Sequence, residues 1–160
     1  ADRLVISAPM WNYAIPYKLK HLIDLVTQKD FLFSFDERGL NGFLTSSRAM
    51  LVLARGVEFG NSPGAFDVEL WDDQQRYLRL WLKMVGVTQV ETVLVEKTLY
   101  GPDADTASRT QASDITPCHS STVTMLGTSA LALTFSAIQL AQSGAEPEPT
   151  IVLPIAYGTF

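Results

Sequence analysis

Three short apolar runs do most to limit what this chain can fold into. Residues 4–8 (Leu-Val-Ile-Ser-Ala) and 50–54 (Met-Leu-Val-Leu-Ala) are nearly continuous apolar stretches, and residues 90–95 (Val-Glu-Thr-Val-Leu-Val) are rich in β-branched side chains. Runs of that length and kind suit strands buried on both faces of a parallel sheet. Between the first two, Leu19, Leu22, Ile23 and Val26 recur at helical spacing behind Pro16, a residue tolerated in a first helical turn, with Lys18, Lys20 and Asp24 left for water. Between the second and third, Leu70, Tyr77, Leu78, Trp81, Leu82 and Val85 share one face of a long helix expected over residues 67–85, which Gly86 stops. A small hairpin is expected around residues 31–42, where Leu32 and Ser34 alternate with phenylalanines and Gly39 and Gly42 mark turns. A further helix should start at Gly101-Pro102-Asp103, with Asp103 and Asp105 in its first turn. Strand, helix, strand, helix, strand calls for right-handed crossovers and an α/β fold with a parallel sheet.

Charge divides the chain in two. All 12 Lys and Arg residues lie between Arg3 and Arg109, and beyond Arg109 the only charged residues are Asp114, Glu146 and Glu148. The later region is rich in Ser, Thr and Ala, which places a boundary near residues 111–117. The expected organisation is a domain over residues 1–111 and a tail over residues 112–160. Residues 122–142 are uncharged and long enough for a bilayer, yet diluted by polar residues and lacking flanking basic ones. The tail is therefore expected to be disordered or partly helical, and no membrane association is expected. The net charge of −5 argues against nucleic acid. A single cysteine, Cys118, rules out an internal disulfide framework and suits a reducing cytoplasm. Its neighbour His119 makes no nucleophile–base pair by adjacency alone, His21 falls on a helix, and no metal-ligand spacing occurs.

The chemistry is expected at the carboxyl ends of the strands, where an open parallel sheet presents loops and helix starts. Two loops stand out there: Pro9-Met10-Trp11-Asn12-Tyr13-Ala14-Ile15-Pro16 after the first strand, and Ala54-Arg55-Gly56-Val57 after the second. The first resembles the P-M-Y-N-F-x-I-P loop of the FMN-dependent NADH:quinone oxidoreductases and azoreductases. The resemblance continues through Leu19-Lys20, Asp24, Phe33, Gly39 and Gly42 to the second loop, where that family usually has S-R-G-G, and on through Gly86-Val87 to Leu99-Tyr100-Gly101-Pro102. It covers residues 1–106.

The resemblance implies a flavodoxin-like three-layer fold that lacks its first strands and its Ser/Thr-rich phosphate loop. The missing strand would lie beside residues 4–8. It implies FMN as cofactor, NADH or NADPH as electron donor, and ping-pong, two-electron reduction of quinones or azo compounds by a homodimer. The alternative is a truncated member that keeps part of the fold and catalyses nothing. Met10, Trp11, Asn12 and Tyr13 would wrap the isoalloxazine ring, Ala54, Arg55, Gly56 and Val57 would meet its other edge through backbone groups, and Phe35 would cover the substrate pocket. Since the flavin carries the redox chemistry, no acid–base catalytic residue is expected.

Overall fold

A computed structural model describes residues 3–115, 123–126, 134–137 and 150–154. Strands β1 (Arg3–Pro9), β4 (Arg48–Ala54) and β5 (Gln89–Val95) alternate with helices α1 (Tyr17–Val26), α3 (Asp73–Met84) and α4 (Pro102–Ile115). The hairpin β2 (Phe33–Asp36) and β3 (Gly39–Gly42), and the single turn α2 (Val68–Trp71), fall within the two connections. β4 pairs in parallel with both β1 and β5, with Ile6 opposite Leu51 and Leu51 opposite Thr92.

The two-residue period of the strands sorts side chains onto two faces. Ile6, Ala8, Ala49, Leu51 and Leu53 point to one face, where Leu19 and Ile23 of α1 and Leu78, Trp81 and Leu82 of α3 close over them. Met50, Val52, Ala54, Val93 and Val95 point to the other, where Ala112 of α4 meets them. A helix–sheet–helix sandwich results, and the expected parallel flavodoxin-like α/β architecture is what the chain adopts. Each fully buried leucine contributes about 1.5–3 kcal/mol of transfer free energy.

The long helix expected over residues 67–85 is two helices. Asp67 accepts a hydrogen bond from the Leu70 N–H and caps α2, and Asp72 accepts one from the Gln75 N–H and caps α3. Asp72 itself sits at φ −94° and ψ 69°, outside helical geometry, so the chain turns and restarts there. Two aspartates five residues apart each offer an N-cap, and the second wins a separate helix because its other oxygen is drawn into the protein.

Three further strands are described in the Ser/Thr/Ala-rich region: β6 (Val123–Leu126) and β7 (Thr134–Ala137), an antiparallel pair, and β8 (Thr150–Pro154). β8 runs parallel to β1, with Val5 opposite Val152, and gives the sheet order β5-β4-β1-β8. The flank of β1 on which the resemblance places another strand is thus bordered by β8. α4 continues past Gln111 to Ile115. Cys118 and His119 lie outside the described residues. Among the described residues, no helix is long and apolar enough to cross a membrane, and no group of His, Cys, Asp or Glu could hold a metal ion.

Candidate functional site

The carboxyl ends of β1, β4 and β5 open into three loops that are hydrogen-bonded to one another. The Met10 N–H donates to the Ala54 carbonyl at 2.7 Å, which carries the β1–β4 ladder one step beyond the strands. The Arg55 N–H donates to the Val95 carbonyl at 2.8 Å and does the same for β4–β5. Thr98 and Leu99 then donate their N–H groups back to the Arg55 and Gly56 carbonyls. The two loops singled out in the sequence are therefore side by side, and a third, after β5, is fastened to the second.

The first loop is a tight reversal. Trp11 and Ala14 exchange both backbone hydrogen bonds at 2.9 Å, which leaves Asn12 and Tyr13 at the turn with φ of 46° and 68°. Two successive left-handed residues that are not glycine are uncommon and hold their conformation only where surroundings impose it. The reversal lifts Asn12 and Tyr13 into solvent and leaves Met10 and Trp11 half-buried beneath. Pro16, fully buried, ends the loop and leads into α1.

Tyr13 does not stand alone. Its ring lies 4.8 Å from that of Trp71, and Phe66 lies 5.8 Å from Trp71 and 5.9 Å from Phe59, an aromatic ridge beside the second loop. Nothing in the local sequence marks Phe59, Phe66 and Trp71 as members of a site. They come from the connection between β4 and α3, which has no periodicity to mark them. Phe35 sits on the β2–β3 hairpin, 67% exposed, and shares no ring contact with the ridge among the described residues.

The N–H groups of Gly56 and Val57 donate to no protein atom among the described residues, whereas the carbonyls of Arg55 and Gly56 are taken. A side chain at Gly56 would meet Leu99 Cδ1 at 2.6 Å, so this glycine admits the third loop to close approach. The Arg55 side chain is 2% exposed and turned inward. It pairs with Asp72 at 2.5 Å and with Glu96 at 3.3 Å, and its guanidinium lies 4.8 Å from the centre of the Phe59 ring. Asp72 is buried with it and supplies the counter-charge that the Arg55 guanidinium requires there.

Burial pushes the Glu96 carboxyl above the ordinary carboxylate range, against the pull of Arg55 and of the Phe59 N–H, with Glu58 adding to the rise. Glu58 is itself held below that range by Lys97, which sits 2.7 Å away and is raised in turn. The Arg55–Glu96 and Lys97–Glu58 pairs cross between the second and third loops and hold them together.

A family profile described as flavodoxin-like fold matches residues 1–115. The chain belongs to that family. It is 45% identical over 115 residues to FMN-dependent NADH:quinone oxidoreductase 3 of Pseudomonas fluorescens, a match covering 71% of this chain and 53% of the relative. Identity is also 45% over 115 residues with FMN-dependent NADH:quinone oxidoreductase 9 of Burkholderia lata, covering 71% and 54%. Among solved structures, an azoreductase from Bacillus anthracis superposes with a TM-score of 0.62 at 26% identity, over 70% of this chain and 52% of that one. The chain spans about half the length of the curated relatives it matches.

Proposed function

We propose that the first two loops form the ring side of an FMN site, and that the chain serves NADH- or NADPH-dependent reduction of quinones or azo compounds. The observation that carries this reading is the Met10–Ala54 hydrogen bond, which sets an aromatic turn edge to edge with a loop holding two N–H donors that find no acceptor among the described residues. A flat tricycle with carbonyls and nitrogens along one edge needs that combination, a surface to lie on and donors at its rim. Tyr13 and Met10 would face the ring, Asn12 and the Gly56 and Val57 amides would bond its polar edge, and Trp11 would support the turn from below. The bound flavin would supply two-electron transfer. The chain's own residues bind the ring, tune it through hydrogen bonds and keep water from it. The names of the relatives, quinone oxidoreductases and an azoreductase, support the substrate classes, and Phe35 on the exposed hairpin is the proposed cover of the acceptor pocket. A homodimer is the proposed working unit.

The alternative reading, a chain that keeps the fold and catalyses nothing, has β8 in its favour. That strand borders β1 on the flank where the resemblance places a strand of the flavin-binding sheet. Fluorescence-quenching titrations with FMN and with riboflavin separate the two. Quenching by the purified chain, followed by NADH oxidation in the presence of a quinone, is expected on the first reading. Absence of quenching with both ligands overturns it. Among the described residues the proposal assigns contacts to the ring alone, so FMN and riboflavin are expected to bind with similar affinity.

A further inference from the structure

The first turn of α3 touches both candidate flavin loops. Asp72, the residue capping α3, gives one carboxylate oxygen to the Gln75 N–H and the other to Arg55 of the second loop. Gln74, fully buried, donates through Nε2 at 3.1 Å to the carbonyl of Ala8, at the end of β1 where the first loop departs. Two residues on one rigid helical turn therefore fix the stem of the first loop and the side chain of the second.

Stability gives little reason for this arrangement. A buried ion pair often contributes no more than apolar residues of the same shape. A buried polar atom without a partner is a cost, and Arg55 Nε and Gln74 Oε1 are two such atoms among the described residues. What an apolar replacement could not supply is direction. Arg55 held inward fixes the start of the second loop, and the Ala8 carbonyl held by Gln74 fixes the end of β1, from which the Met10 N–H reaches the Ala54 carbonyl.

We propose that Asp72 and Gln74 are positioning residues: through Arg55 and the Ala8 carbonyl they set the spacing between the two loops, and thereby the geometry of the ring site. The relevance to flavin rests on the function proposed above. The spacing itself is a property of the chain without ligand.

The test uses Asp72→Asn, which keeps the helix cap while removing the charge that holds Arg55, and Gln74→Met, which keeps size and removes the bond to Ala8. Amide hydrogen exchange is followed residue by residue in the full chain, without ligand. Each variant is expected to speed exchange of the Met10, Thr98 and Leu99 amides by about tenfold or more, the effect of losing one buried charged or amide hydrogen bond, while the Leu51 and Val93 amides keep their rates. Parent-like exchange at the loop amides, or equal acceleration at the core amides, overturns the proposal, the second because it reports plain destabilisation. Riboflavin titration is run in parallel. If the parent quenches riboflavin, both variants should weaken binding by a larger factor than they change the urea midpoint would imply. If the parent does not, the flavin reading fails by itself, and the exchange data still decide whether the turn sets the loops.

Discussion

Asn12 and Glu96 show how residues near the strand ends trade stability against placement. Asn12 holds a left-handed backbone, φ 46°, that asparagine tolerates better than most side chains. Asn12→Leu should cost about 1 kcal/mol of stability through backbone strain and weaken flavin about threefold to tenfold through a lost hydrogen bond. Asn12→Gly should spare the stability and lose only the flavin contact. Urea unfolding beside flavin quenching checks the pair, and unchanged affinity in both variants would take the side chain out of the site. Glu96 carries its charge where burial opposes it, with Arg55, Glu58 and Lys97 as its charged surroundings. A carboxyl whose folded pKa lies above its unfolded one binds protons more readily in the fold, so its contribution to stability declines as pH rises from the unfolded value through the raised one. Glu96→Gln keeps an acceptor for Arg55 and for the Phe59 N–H. It should therefore be at least as stable as the parent at pH 7, with that advantage fading as the pH falls into the ordinary carboxylate range. Urea midpoints at pH 7 and pH 4 measure this. A variant weakened at pH 7 by more than about 1 kcal/mol would show that the charge on Glu96 is a net stabiliser through Arg55.

Among elements, the strands and α1 were legible because burial on both faces or on one stripe leaves a local period in the sequence. The two flavin-type loops were legible as motifs. What could not be read was each contact made by residues far apart in the chain. Arg55 meets Asp72 17 positions on and Glu96 41 positions on, and no local pattern announces that a surface-looking aspartate will be buried. The break between α2 and α3 falls at the same contact, and the Phe59–Phe66 part of the aromatic ridge is held by a backbone bridge in the loop before it. Gly42 was readable as a turn marker, and its reason is the close approach of another element. A Cβ on Gly42 would lie 2.1 Å from the Gly86 nitrogen and 2.2 Å from the Val85 carbonyl carbon, backbone atoms at the end of α3 that have nowhere to go. The Leu44 N–H just beyond it bonds the Val85 carbonyl at 2.8 Å, so backbone meets backbone where the hairpin is seated on the helix end. Gly42→Ala should destabilise by about 2 kcal/mol or more as overpacking against backbone, whereas Gly39→Ala, with open space but φ 111°, should cost about 1–2 kcal/mol from conformation. Thermal denaturation of the two orders them, and a larger loss at Gly39 would mean that the hairpin can lift from α3 at little cost.

At the scale of the whole molecule, the question is what β8 does for the sheet. β1 is an apolar strand, and a strand of that kind with one unpaired flank is a template for pairing with other chains. Residues 3–7 of β1 are matched along their length by Thr150–Pro154, in parallel register, so the flank is satisfied within this chain. The sequence offered a weak sign of this: Thr-Ile-Val-Leu is a β-branched apolar run, but its partner lies more than a hundred residues earlier, and the Ser/Thr/Ala-rich stretch between them hides it. A chain ending at Ile115 keeps α4 and all three loops and loses β8. It should unfold at lower urea than the parent and self-associate as protein concentration rises, because the β1 ladder is left open. Val152→Pro in the full chain fixes a backbone dihedral in the middle of β8 and crowds its pairing with β1, and should reproduce part of that loss, about 1–3 kcal/mol, without shortening the chain. Sedimentation velocity over a concentration series, beside urea unfolding, reads both effects. The flavin loops leave β1 and β4 at their carboxyl ends, so ring binding by either variant should fall only as far as the folded fraction does. If the shortened chain stays monomeric with the parent's urea midpoint, β8 contributes nothing to the sheet and the β1 flank tolerates exposure. If it stays folded yet loses ring binding outright, β8 supports the first loop directly and belongs with the site.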